Sequence, residues 1–128
     1  MNIRVLIADP ERELLDAYRD YLSGQDFEVQ TAPSGQNCVD KLQSWRPNVL
    51  ILEPDMPDGW GDKILKTVRE DPLASRVPVL ILSRCDSKAI DYPVREYHVK
   101  PFSLAKLTRG IRKAVMEPSI EYCENYDR

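Results

Sequence analysis

Cysteine is scarce and scattered. The three present, Cys38, Cys85 and Cys123, form no CxxC pair, so their spacing offers neither a zinc site nor a disulfide framework and suits free thiols in a reducing compartment. Histidine occurs once, at His98, and a single imidazole within a short strand reads as an ordinary surface residue rather than a ligand or catalyst. An excess of positive charge is also missing. Eighteen basic residues stand against 21 acidic ones, a formal charge of −3, which gives no overall field for a polyanion and argues against nucleic acid as primary partner. No apolar run is long enough to span a bilayer, and the opening MNIRVLIAD reaches an acid after one short apolar stretch, without a signal-peptide core. The expectation is a cytoplasmic protein that does not engage a membrane. Internal repeats and low-complexity segments are absent, and 128 residues with 42% apolar content suit one domain with a sizeable core.

What the chain has is alternation. Ile3 to Ala8 reads as a strand, and Glu11 to Leu22 as a helix whose Leu14, Leu15, Tyr18 and Leu22 recur at three-to-four spacing before Gly24. Phe27 to Thr31 alternates apolar and polar as a strand near a sheet edge does. Ser34 is placed to cap a helix with Val39 and Leu42 facing inward. Val49 to Leu52 is an unbroken apolar run between Arg46-Pro47-Asn48 and Glu53-Pro54, too short for a lone helix and suited to a strand buried on both faces. Gly61 to Glu70 follows as a helix with Ile64, Leu65 and Val68 on one side, ended by Asp71-Pro72. Pro78 to Leu82 is another buried strand opening into Ser83. Arg84 to Pro93 lacks a sustained period and suits a loop or a short helix. Arg95 to Val99 is a fifth strand, and Ser103 caps a last helix carrying Leu104, Leu107, Ile111 and Val115, which Glu117-Pro118 stops. Residues 1–116 form the domain; 117–128 are a polar tail or the start of a linker.

Strands interleaved with helices at this spacing imply a five-stranded parallel sheet with right-handed crossovers, a doubly wound, flavodoxin-like three-layer α/β/α fold. Sites in such sheets lie at the carboxyl edge. Asp9, Glu53, Ser83 and Lys100 each end a strand and should converge there.

Five pieces in order resemble the receiver domain of two-component response regulators: Asp9 after the first strand, Glu53 before Pro54-Asp55-Met56-Pro57, Gly61 closing that loop, Ser83 after the fourth strand, and Lys100-Pro101-Phe102 after the fifth. The resemblance covers Met1 to about Met116, and its specificity lies in the combination. It implies an aspartate at the position of Glu53 that accepts a phosphoryl group from a histidine kinase, and an acid pair after the first strand that helps hold Mg2+. It further implies that the hydroxyl and lysine at Ser83 and Lys100 contact the phosphoryl oxygens, that an aromatic at Tyr97 reorients with them, and that the carbonyl at Asp55 ligates the metal. Such chemistry needs a divalent cation and fixed donors around spread negative charge. Protein partners are implied as well: a histidine kinase, an effector domain, or a second copy in a homodimer. The 17 positions from Ser83 to Lys100 are several fewer than the family shows, so the fourth helix is expected to be shortened or missing.

Two departures shape the expectation. Glu53 stands where the family has aspartate, and Pro10 stands where it has the second acid, supplying neither a carboxylate nor an N–H. Glutamate also sets its carboxylate about 1.5 Å further out, one carbon–carbon bond. The reading is an atypical receiver, a pseudo-receiver that is not an enzyme and acts without phosphorylation as an interaction module. Glu53 pairs with Lys100, with Ser83 near enough to donate, in an acidic pocket shared with Asp9, Glu11 and Asp55. The opposing reading leaves Glu53 and Lys100 solvated. No cofactor is expected; Mg2+ on Asp9, Glu53 and Asp55 is the lesser alternative. Glu11 in the first turn of a helix also suits the helix dipole. Two other readings remain: an active receiver taking phosphate on Glu53 or Asp55, and an unrelated flavodoxin-like enzyme, against which the loop Asp9-Pro10-Glu11-Arg12 has no glycines to cradle a phosphate. Trp60 either guards the pocket, anchors a partner or folds over the neighbouring loop, while Trp45 packs at the end of its helix.

Overall fold

The computed structural model describes residues 2–84, 90 and 92–116. Five strands, β1 (Ile3–Ala8), β2 (Phe27–Ala32), β3 (Val49–Leu52), β4 (Val79–Ser83) and β5 (Glu96–Val99), form one all-parallel sheet in the order β2-β1-β3-β4-β5. Four helices accompany them: α1 (Arg12–Ser23), α2 (Gly35–Ser44), α3 (Trp60–Glu70) and α4 (Leu104–Met116).

The period of two along the strands splits the core into two layers. Leu6, Leu50, Leu52 and Ile81 point to one face, where Cys38, Leu42, Ile64 and Val68 of α2 and α3 cover them. Val5, Ile7, Val49, Ile51, Leu80 and Leu82 join Leu15, Leu22, Leu107 and Ile111 of α1 and α4 on the other. β3 lies mid-sheet with every residue buried, whereas β2 at the edge keeps three half-buried positions.

Local chemistry sets the joints. Ser34 Oγ accepts from the Asn37 N–H at 3.2 Å, and Ser103 Oγ from the Lys106 N–H at 3.3 Å, each satisfying a free donor at a helix start. After α3, Asp71 Oδ1 accepts from the Leu73 N–H at 2.9 Å and bends the chain away. Gly61 lies in the first turn of α3. A Cβ there would sit 1.9 Å from the Pro54 carbonyl oxygen, so only glycine lets the loop after β3 close on the helix.

Boundaries moved by a residue or so. β4 runs on into Ser83, β5 starts at Glu96, and α3 starts at Trp60 because Gly59, with φ +69°, supplies the left-handed turn before it. Between β4 and β5 the described residues contain no helix, in keeping with a shortened fourth helix. Cys85, Cys123, most of the stretch from Arg84 to Pro93, and the tail after Met116 with its Glu117-Pro118 stop lie outside the described residues. Among the described residues no helix is long and apolar enough to cross a membrane.

Candidate functional site

The chain reverses its winding direction between β1 and β3, and the crevice at their carboxyl ends is where a doubly wound sheet places its site. Two backbone bonds hold the acids there. The Asp9 N–H donates to the Ala32 carbonyl at 3.1 Å and the Glu53 N–H to the Ala8 carbonyl at 2.9 Å, extending the ladders one residue past the strands. From β4 and β5 the third member arrives, since the Lys100 N–H donates to the Ser83 carbonyl at 2.7 Å.

These anchors aim three carboxylates at one ammonium. Lys100 Nζ lies 2.5 Å from Asp9 Oδ2, 3.3 Å from Glu53 Oε1 and 3.5 Å from Glu11 Oε1. Asp9 and Glu53 are 2% and 1% exposed, and the Lys100 side chain 7%. The remaining lone pairs are engaged as well. Asp9 Oδ1 accepts from the Glu11 N–H at 2.8 Å, Glu53 Oε2 from the Asp55 N–H at 3.0 Å, and Glu53 Oε1 from the Arg84 N–H at 3.2 Å. Arg84 also reaches Glu11 with its guanidinium at 3.0 Å.

Proton affinities diverge within the cluster. Burial disfavours the charged form of Asp9 and pushes its carboxyl above the usual range, despite the hydrogen bond from Lys100. Burial opposes ionisation of Glu53 too, but the Asp55 N–H, the Lys100 charge and the Arg84 N–H outweigh it and hold this carboxyl low. For Lys100, burial favours the neutral amine, and the bonds and charges of Asp9 and Glu53 overcome it and raise the ammonium's pKa.

Against the sequence reading, the pairing is broader than Glu53 with Lys100. Asp9 is the closer partner, because its short side chain on the neighbouring strand faces the lysine directly. Ser83 is fully buried at the same edge. Asp55 enters only through its N–H, its side chain being exposed. Tyr97 packs half-buried against the α2–α3 core. His98 bonds Glu96 Oε1 through Nε2 at 2.6 Å and stacks on Phe102 with centroids 4.0 Å apart. Trp60 lies over Gly35, where a Cβ would come within 2.2 Å of the indole, so the ring folds across the start of α2. Trp45 caps the end of α2, its carbonyl accepting from Arg4 at 2.6 Å. Arg84 went unforeseen, and no sequence signal marks it: its contribution to Glu53 is a backbone N–H.

A parallel sheet in this order, with acid, hydroxyl and lysine gathered at its carboxyl edge, defines an open doubly wound α/β domain with a single switch-point site. The chain belongs to the response regulator receiver domain family, whose model matches residues 5–112. It is 33% identical over 115 residues to the transcriptional regulatory protein TrcR of Mycobacterium tuberculosis, covering 86% of this chain and 44% of that protein. To the response regulator MprA of Mycobacterium bovis it is 29% identical over 117 residues, covering 88% and 50%. The chain thus spans half or less of these curated relatives. The chemotaxis response regulator CheY4 of Vibrio cholerae superposes with a TM-score of 0.78 at 26% identity, over 89% of this chain and 99% of CheY4. An unrelated flavodoxin-like enzyme finds no support in these relationships.

Receiver domains bind Mg2+ in their active site, as a histidine-kinase receiver of Pseudomonas aeruginosa does. Mg2+ requires near-octahedral oxygens at about 2.0–2.1 Å. Here the oxygens of Asp9 and Glu53 converge on an ammonium, Pro10 has no carboxylate, and the Asp55 side chain is exposed. Among the described residues no three metal-ligating side chains form a candidate site. In this arrangement the residues do not fit Mg2+.

Proposed function

We propose that this chain is a receiver domain that works without phosphorylation, a non-enzymatic module presenting one constant surface to protein partners of a two-component pathway. A histidine kinase, an effector domain or a second copy is the class of partner. One observation carries this reading: the Lys100 ammonium lies between Asp9 and Glu53 with both carboxylates buried. Phosphoryl transfer needs a divalent cation on the incoming oxygens, a carboxylate free to attack, and an amine waiting for the product. In this site the amine is already paired with both carboxylates, and both oxygens of Glu53 accept hydrogen bonds. The state that a switched receiver reaches on modification is replaced by a permanent internal ion cluster.

Incubation with acetyl phosphate and Mg2+, read by intact mass, tests this directly. The unmodified mass is expected, while a variant carrying both Glu53→Asp and Pro10→Asp, with one acid shortened and one added at the edge, gains a phosphoryl group. A phosphoryl adduct on the wild-type chain overturns the reading.

A further inference from the structure

Glu11, Leu14 and Tyr18 recur at three-to-four spacing and so share one side of α1 and its N-cap. With Phe102 and Leu104 they enclose a cavity of about 400 Å3 beside the ion cluster, large enough for a small organic molecule. Leu14, Phe102 and Leu104 make its wall apolar. Tyr18 is only 7% exposed, yet its hydroxyl has no hydrogen-bond partner among the described residues. Every fully buried side-chain oxygen and nitrogen among them is satisfied. The little surface that Tyr18 keeps therefore includes its hydroxyl oxygen, and the cavity it lines is where that oxygen opens. Burial raises the phenol's pKa, so the hydroxyl is neutral at ordinary pH and has lone pairs to offer.

The charged groups on the wall are unequally engaged. Lys100 has all three donors committed, to Asp9, Glu53 and Glu11. Glu11, its side chain 35% exposed, receives both Lys100 and Arg84 on Oε1, and its Oε2 has no partner among the described residues. Three carboxylates, on Asp9, Glu11 and Glu53, face the two cations Lys100 and Arg84, which leaves an excess of negative charge at the cavity. We infer that this cavity binds a small apolar amine in its protonated form, the ammonium donating to Glu11 Oε2 and to the Tyr18 hydroxyl oxygen while the apolar body rests on Leu14, Phe102 and Leu104. The inference goes beyond the proposed function and rests on it in one respect, since a Mg2+ ion at the rim would reverse the sign of the local charge. A carboxylate is the poorer occupant, because Arg84 is the one cation of the wall with donors to spare and it lies against Glu11.

Isothermal titration calorimetry of the full chain with phenethylamine is the test, alongside hydrocinnamate and phenethyl alcohol, which keep the ring and exchange the ammonium for a carboxylate or a neutral hydroxyl. Saturable binding of the amine is expected, tighter than that of either analogue and weaker as salt rises. Glu11→Gln should weaken it about tenfold or more, the loss of a charged hydrogen bond, and Tyr18→Phe, which keeps the ring in the core, about threefold. Lys66→Gln, exposed on α3 across the sheet, should leave it unchanged; circular dichroism confirms that each variant folds, and the analogue series tests the wild-type chain without any substitution. Absence of saturable amine binding, equal or tighter binding of hydrocinnamate or phenethyl alcohol, or indifference to both Glu11→Gln and Tyr18→Phe each overturn the proposal. Phosphate uptake in the mass assay would overturn the proposed function, whereas an unmodified mass without amine binding overturns this inference alone, so the two failures are distinguishable.

Discussion

Replacing Lys100 with methionine keeps an unbranched apolar stem one atom shorter and removes the charge that Asp9 and Glu53 share. Coulomb attraction at 2.5 and 3.3 Å amounts to roughly 7 and 5 kcal/mol gross at an effective dielectric of about 20, offset by several kcal/mol of desolvation for each buried ion. Removing one partner of such a cluster leaves uncompensated buried charge, at about 3–5 kcal/mol. That is a large share of the roughly 5–15 kcal/mol by which a domain is stable, and with a urea slope near 2 kcal/mol per molar it lowers the midpoint by about 2 M. The loss has a pH signature. Asp9 is the carboxyl already pushed upward by burial, so it takes the proton that relieves the variant, and the deficit at pH 5 should be smaller than at pH 7. Asp9→Asn in the Lys100→Met background should recover more than half of it, a coupling that independent sites would not show. Urea unfolding at the two pH values for wild type, both single variants and the double variant measures this. A loss under about 1 kcal/mol for Lys100→Met, the range of an exposed ion pair, refutes the reasoning.

Alkaline stability follows from the same cluster. Lys100 has a raised pKa in the fold, so its contribution is fully present below the unfolded value of about 10.4 and is lost as pH rises through the folded value. Tyr18, raised by burial, adds loss of the same sign. Urea midpoints from pH 9 upward should therefore fall, and less steeply in Lys100→Met; equal slopes would contradict the assignment. Gly61→Ala should destabilise by about 2 kcal/mol or more, because its Cβ meets the Pro54 carbonyl, whereas Gly59→Ala, with open space but φ +69°, should lose only about 1 kcal/mol; thermal melts rank the two. Burial pushes the Cys38 thiol up to about 12, so peptide mapping after iodoacetamide at pH 8 should find Cys38 unlabelled in the native chain and labelled in urea.

The sheet was legible because its signals are local. Val49 to Leu52 and Val79 to Leu82 have no polar position to face water, and so lie inside the sheet, while the alternation of Phe27 to Thr31 marks an edge. Asp9, Glu53, Ser83 and Lys100 could be placed at one rim because parallel strands end on one side. Which acid lies nearest the amine was not legible. It depends on strand order and side-chain reach, and these put Asp9 closer than Glu53 although Glu53 is the longer residue. The Arg84 bond to Glu53 is invisible in any residue type because a backbone N–H makes it. The role of Trp60 is not legible in its residue type, since the packing of α3 against Gly35 decides it.

The most direct test of the internal ion cluster is a crystal structure grown with Mg2+ and beryllofluoride as the phosphoryl mimic. Lys100 Nζ is expected to stay between Asp9 and Glu53, with neither ion nor mimic at the rim. A Mg2+ ion on Asp9, with the mimic on Glu53 and Lys100 turned towards it, would show instead a site that switches.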